Sequence, residues 1–173
     1  MNNFSLSNET VCAISSPPGI GGIAVIRTSG KDAILIVDSI FSKSIKKSKG
    51  YSVLYGIIFE GNKEIDHVIV TIFKNPHSFT GEDVVEISCH GSQFIQQKIL
   101  ELLCSNGARI ATPGEFSKRA FLNGKLDLSQ TEAIADLINS RSSAAHEIAI
   151  KQMRGGFSNE LKNLRRKLIN FAS

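Results

Sequence analysis

Apolar positions along this chain recur with a period that switches repeatedly between two and three to four, as expected of mixed α and β structure. Alternation predicts short strands at Thr10–Ile14 and Gly22–Thr28, followed by a helix over Lys31–Ser42. Tyr51–Phe59 and Asp66–Phe73 flank Glu60-Gly61-Asn62-Lys63, which predicts a hairpin with Gly-Asn in its turn. Another strand is expected over Asp83–Cys89. From Ser92 to Ser105 the residues Ile95, Ile99, Leu102 and Leu103 share one helical face, with Gly107 as the stop. Ala108–Ala111 then reads as a short strand.

The next segment carries explicit helix signals. Thr112 is expected as an N-cap, Pro113 as the first helical residue and Glu115 as the partner in a capping box, with Gly124 ending the helix. Ser129 with Glu132 repeats the device. Beyond it the pattern is helical, and Phe157, Leu161, Leu164, Leu168 and Phe171 alternate by four and three. One helix cannot bury such a seam, so either a second copy or further sequence is expected to cover it, and the chain reads as the front part of a longer protein. The expected architecture is α+β: a mixed β-sheet with flanking helices over residues 1–123, then the first helices of an α-helical bundle over 124–173.

Composition narrows the class. A chain of 173 residues, 42% apolar and 21% charged, can bury one core with an appendage. The 20 basic against 16 acidic residues leave a net charge of +4, too mild to indicate a nucleic-acid partner. Much of that excess lies in Lys43–Lys49 and Lys162–Lys167, runs that read as solvated faces. Cys12, Cys89 and Cys104 show no C-x-x-C spacing and no His cluster, which signals neither a disulfide framework nor a zinc site. No apolar run approaches the roughly 18 residues of a membrane span, and the amino-terminal residues lack a basic segment followed by an apolar one. These features predict a soluble, cytoplasmic protein.

Few residues stand out as candidates for chemistry. Within the predicted strand Asp83–Cys89, Glu86 shares a half-polar face with Val84, Ser88 and His90, where a carboxylate is either simply solvated or functional. Arg27 continues the alternation of Ile23 and Val25, so it leaves an apolar face and needs a carboxylate partner or an anionic ligand. Lys125 follows the Gly124 stop in a turn between two capped helices, which holds its backbone in one geometry. Together, Arg27, Glu86 and Lys125 suit a ligand that combines a donor-rich heterocycle with an anionic tail. The loop from Ser16 to Gly22 is rich in Pro and Gly but leads into a strand, so it lacks the helix N-terminus of a phosphate cradle. Cys89 and His90 point to opposite faces and cannot act as nucleophile and base together. His77 and His146 have no partner legible in the sequence.

Several ordered blocks resemble the N-terminal part of the MnmE (TrmE) family. They include Ser16-Pro17-Pro18-Gly19, Gly22-Ile23-Ala24-Val25-Ile26-Arg27, Ser78-Phe79-Thr80-Gly81-Glu82-Asp83 and His90-Gly91. Further blocks are Pro113-Gly114-Glu115-Phe116, Arg119 through Lys125, and Leu126-Asp127-Leu128 with Gln130, Glu132-Ala133 and Asp136-Leu137-Ile138. The resemblance implies a domain that binds a tetrahydrofolate one-carbon donor and dimerises, similar in fold to the folate domain of aminomethyltransferases. By position it implies that Arg27, Glu86 and Lys125 contact the folate, either 5-formyltetrahydrofolate or 5,10-methylenetetrahydrofolate, with Glu86 on the pterin amino edge. It also implies a homodimer, an FAD-containing partner (MnmG, also called GidA), and tRNA as the substrate of the full complex, whose wobble uridine receives an aminomethyl-type group. GTP, Mg and K belong to the family's GTPase domain.

Departures from the family pattern set the remaining expectations. No G-x-x-x-x-G-K-[ST] segment and no carboxy-terminal cysteine motif occur in the chain, so by itself it is expected neither to hydrolyse GTP nor to modify tRNA. Ser92 stands where a second glycine is common, and Thr131 where alanine is. Two other classes remain open: a free-standing aminomethyltransferase-like enzyme, for which Asp127 or Glu115 would be the acid, and a pure dimerisation module that binds no folate.

Overall fold

The computed structural model describes residues 9–155 and 164–171. Two strands open the fold, β1 (Val11–Ile14) and β2 (Gly21–Ser29), followed by the short helix α1 (Ala33–Asp38). Next come β3 (Ser52–Glu60), β4 (Lys63–Phe73), β5 (Val84–Gly91), helix α2 (Gln93–Ser105) and β6 (Arg109–Ile110). Three helices follow, α3 (Glu115–Leu122), α4 (Leu128–Asn139) and α5 (Ser143–Met153). The strands form one six-stranded mixed sheet in the order β3-β4-β5-β2-β1-β6. All neighbours are antiparallel except β1 and β6, which run parallel. This is the expected mixed sheet with flanking helices, followed by helices alone. Backbone contacts divide the chain into two compact units between Arg119 and Ala120, inside α3.

In the first unit the core lies on one face of the sheet. Ile26, Val70, Ile72, Val85 and Ile87 are fully buried there, against Ala33 and Val37 of α1 and Ile99 and Leu103 of α2. The period-two pattern of the strands puts these residues on one side, and burial of their branched side chains supplies the main driving force. On β2 Ala24, Ile26 and Thr28 are buried, as is Ser29 at its end, while Ile23 is 73% exposed. The alternation carried by Ile23, Val25 and Arg27 therefore faces away from the core.

The sequence overextends α1. Helix α1 stops at Asp38 because the chain from Ile40 to Ser42 is drawn into pairing beside β3. Phe59 N–H donates to Ile40 O at 2.9 Å, Ser42 N–H donates to Ile57 O at 2.9 Å, and Phe41 bridges to Ile58. At the other end of the sheet, β5 reaches Gly91, where a side chain could not fit. A Cβ on that residue would stand 2.4 Å from the backbone oxygen of Gly21.

Caps around α3 and α4 differ from the expectation. Helix α3 begins at Glu115, after a turn in which Gly114 has φ 74°. The Glu115 carboxylate accepts from Thr112 N–H at 2.8 Å, as a capping box requires, but Thr112 Oγ1 points to that same carboxylate instead of capping a backbone amide. Gly124 does end α3. Its N–H donates to Phe121 O and the Lys125 N–H to Ala120 O, a Schellman motif with Gly124 at φ 68°. For α4 the N-cap is Asp127, not Ser129: Asp127 accepts from Gln130 N–H while Gln130 returns the bond, and Ser129 lies inside the helix.

In the second unit α4 and α5 pack together through the buried Ala133 and Ala149, and Gln130 Nε2 donates to Met153 O at 2.9 Å. Residues 164–171 are helical, with Leu164, Leu168 and Phe171 exposed. Phe157 and Leu161 of the predicted seam lie outside the described residues. Among the described residues no helix is long and apolar enough to cross a membrane.

Candidate functional site

The face of the sheet opposite α1 and α2 carries the candidate site. Strand register aligns Ala13, Arg27, Glu86, Thr71 and Val53 in one row across β1, β2, β5, β4 and β3. Val53, Tyr55 and Ile69 on the same face are exposed. Arg27 and Glu86 thus stand directly opposite each other in antiparallel register. The guanidinium Nε donates to Glu86 Oε1 at 2.8 Å, and Nη2 forms an ion pair with the same oxygen at 2.8 Å. Each side chain is about a quarter exposed, so the pair is only partly screened by water. Among the described residues no donor is bonded to Glu86 Oε2 and no acceptor to Arg27 Nη1.

Two aromatic rings fix the guanidinium further. Its central carbon lies 5.3 Å from the Phe79 ring centroid and 5.4 Å from that of Phe116, within cation–π range. Phe79 comes from the loop before β5 and Phe116 from the first turn of α3. Sequence reasoning passed over both rings.

A buried ion network holds those two elements. Arg119, 2% exposed, donates from Nη1 to both Glu82 oxygens at 3.1 Å and from Nη2 to Glu115 Oε1 and Glu9 O at 3.0 Å. Glu82 also accepts from Ser29 Oγ at 2.7 Å, and Ser78 Oγ donates to Glu82 O at 2.6 Å. Glu115 takes two further bonds from Arg109 at 2.8 and 3.0 Å. Arg119 therefore ties the Phe79 loop to the Phe116 helix, one on each arm of its guanidinium. The spacing of Glu115 and Arg119 by four, with Phe116 between them, was the available signal.

These bonds decide which carboxyl could act as an acid. The Arg109 guanidinium, then the Thr112 amide and Arg119, hold the Glu115 carboxyl well below the usual carboxylate range despite partial burial. The same pairing pushes Arg109 up. Glu115 is thus ionised at neutral pH and cannot donate a proton. Asp127, the other candidate acid, is occupied as the N-cap of α4.

Lys125 is exposed and follows Gly124 in the turn after α3, within the second compact unit. Cys89 belongs to the core, its Sγ 3.6 Å from Ala24 O, and burial pushes its thiol up to about 11. His90 instead joins Asp66, which accepts from both its backbone N–H and its Nδ1. The Ser16–Gly22 loop enters β2, and Gln96 Nε2 donates to Gly19 O at 3.3 Å. His146 lines an open groove of about 350 Å³ with Glu147, Ile150, Lys151 and Arg154. That groove lies on α5, in the other unit from Arg27 and Glu86.

Comparison with known proteins adds to this geometry. A family model described as GTP-binding protein TrmE N-terminus matches residues 10–125, and one described as MnmE helical domain matches residues 128–173. Similar curated proteins include one from Parabacteroides distasonis, 58% identical over 95% of this chain, and one from Flavobacterium johnsoniae, 52% identical over 97%. Another, from Cytophaga hutchinsonii, is 55% identical over all of it. Each bears the name tRNA modification GTPase MnmE. The chain spans only 37 to 38% of the length of these relatives.

Proposed function

This chain belongs to the MnmE (TrmE) family, and on that premise we propose that it is the tetrahydrofolate-binding and dimerising region of a tRNA-modification GTPase. In this reading residues 1–123 form the folate domain and 124–173 begin the helical domain. The observation that supports it is the Arg27–Glu86 pair, which leaves one carboxylate oxygen and one guanidinium nitrogen without a bond among the described residues, beside two aromatic rings. The amino-pyrimidine edge of a pterin presents N–H donors to such an oxygen and a carbonyl to such a donor, and a charged acceptor strengthens each bond. Lys125 belongs to the second unit, and the family resemblance alone assigns it the role of a cation for the folate's carbonyl or carboxylate groups.

The bound folate would supply the one-carbon unit. What this chain's residues contribute is recognition and orientation: Glu86 fixes the heterocycle, Arg27 fixes Glu86, and the rings hold Arg27. Chemistry on tRNA then depends on the GTPase domain and an FAD-containing partner of the MnmG type, which together with this region of a homodimer would place an aminomethyl-type group on the wobble uridine in the cytoplasm. An ionised, arginine-bound Glu115 and a capping Asp127 argue against a self-sufficient aminomethyltransferase.

Calorimetric titration of 5-formyltetrahydrofolate, with the oligomeric state followed by sedimentation, tests the proposal. Saturable binding to the dimer is expected, and its loss in a dimeric Glu86→Ala. A well-folded dimer that takes up no folate would reduce this region to an assembly module.

A further inference from the structure

Cys12 and Cys104 are 92 positions apart in sequence, yet their Sγ atoms stand 3.9 Å apart. Both are free thiols. Backbone bonds hold each of them in place. Arg109 N–H donates to Thr10 O and Ala111 N–H to Cys12 O, both at 2.9 Å, so β6 brings the chain back from the end of α2 along β1. Ala108 N–H donates to Leu103 O at 3.0 Å and Gly107 N–H to Cys104 O at 3.1 Å, which closes the last turn of α2 around Cys104. The contact joins two ordered elements. A disulfide needs about 2.05 Å between sulfurs, so roughly 2 Å of approach, within reach of side-chain rotation, separates contact from bond.

We infer that Cys12 and Cys104 form an oxidisable dithiol, a modification site at which hydroperoxides close an intramolecular disulfide between β1 and α2. Access to the two sulfurs is unequal. Cys12 is fully buried, whereas Cys104 is partly exposed. Burial, reinforced by Cys104, also pushes the Cys12 thiol up to about 12, so the oxidant reacts first at Cys104. The Cys104 thiolate attacks one peroxide oxygen and the O–O bond breaks, leaving a sulfenic acid at Cys104 and releasing an alcohol, or water when the oxidant is hydrogen peroxide. The Cys12 sulfur then attacks the sulfenic sulfur. The S–O bond breaks, and the departing hydroxide takes the Cys12 proton as water. In sum, two thiols lose two hydrogens and one peroxide is reduced.

Cys89 is an internal control. It is buried, its Sγ lies against Ala24 O, and it should stay reduced. The new bond would fasten α2 to β1, whose Ala13 is the register partner of Arg27. Oxidation thereby ties down the strand that carries Ala13 in the Arg27–Glu86 row.

The test treats the reduced chain with hydrogen peroxide, alkylates the remaining thiols after unfolding, and maps the peptides by mass. The expected result is a Cys12–Cys104 cross-link within one chain, an alkylated Cys89, and a urea midpoint that rises on oxidation and returns with dithiothreitol. Cys104→Ser, checked for native circular dichroism, should give no cross-link and an alkylated Cys12. Sulfinic acid at Cys104 with Cys12 still reduced would overturn the inference, as would a cross-link that engages Cys89 or joins only separate chains.

Discussion

Glu86 meets Arg27 through one oxygen, Oε1, which accepts from Nε and pairs with Nη2, both at 2.8 Å. The second oxygen is therefore the one available to a ligand. Glu86→Gln keeps the shape and removes the charge, which weakens both the bond to Arg27 and any bond to a pterin edge. Folate affinity should fall tenfold or more, about 1.4 kcal/mol, in calorimetry. Unfolding free energy should drop by only about 1 kcal/mol, since the pair is partly hydrated.

Arg119 presents a larger structural stake. Its guanidinium is nearly inaccessible and neutralises Glu82 and Glu115, whose side chains are 18% and 10% exposed. Arg119→Met leaves two carboxylates buried with one cation fewer, and should cost about 3–5 kcal/mol in urea unfolding.

Acid should unfold the protein partly through Glu115. Its folded-state pKa is depressed below the ordinary glutamate value of 4.5 by Arg109, the Thr112 amide and Arg119. The stability it contributes is thus fully present above that value and is lost as pH falls below it toward the folded-state pKa. The raised Arg109 contributes throughout this window and adds no slope. Urea midpoints measured from neutral pH down to about pH 3 should decline, and Glu115→Gln should flatten the decline.

Gly91 tests the close passage of β5 and β2. A Cβ there would stand 2.4 Å from Gly21 O, and backbone cannot yield as a flexible side chain does. Gly91→Ala should destabilise by about 1–3 kcal/mol, with the Ser16–Gly22 loop showing the largest amide chemical-shift changes.

Lys125 separates binding from folding. It is exposed in a turn whose geometry is set by Gly124. Lys125→Met should weaken folate binding in calorimetry while the circular dichroism spectrum stays that of the folded protein.

By itself the sequence determined the strands, α2, the Gly61–Asn62 hairpin and the stop at Gly124, because hydrophobic period and turn chemistry act over a few residues. It also singled out Arg27 and Glu86, since a charge in a strand declares itself locally. Their direct opposition depended on register between strands 59 positions apart, which no local pattern encodes. The early end of α1 likewise came from pairing with β3, and the choice of Asp127 over Ser129 as cap from a reciprocal bond with Gln130. Only the tertiary structure brought Arg119 between Glu82 and Glu115, Phe79 and Phe116 to Arg27, and Cys12 against Cys104. The physical reason is the same in each case: such contacts join segments far apart in the chain, and their energy comes from the shared burial of groups that are individually unremarkable in sequence.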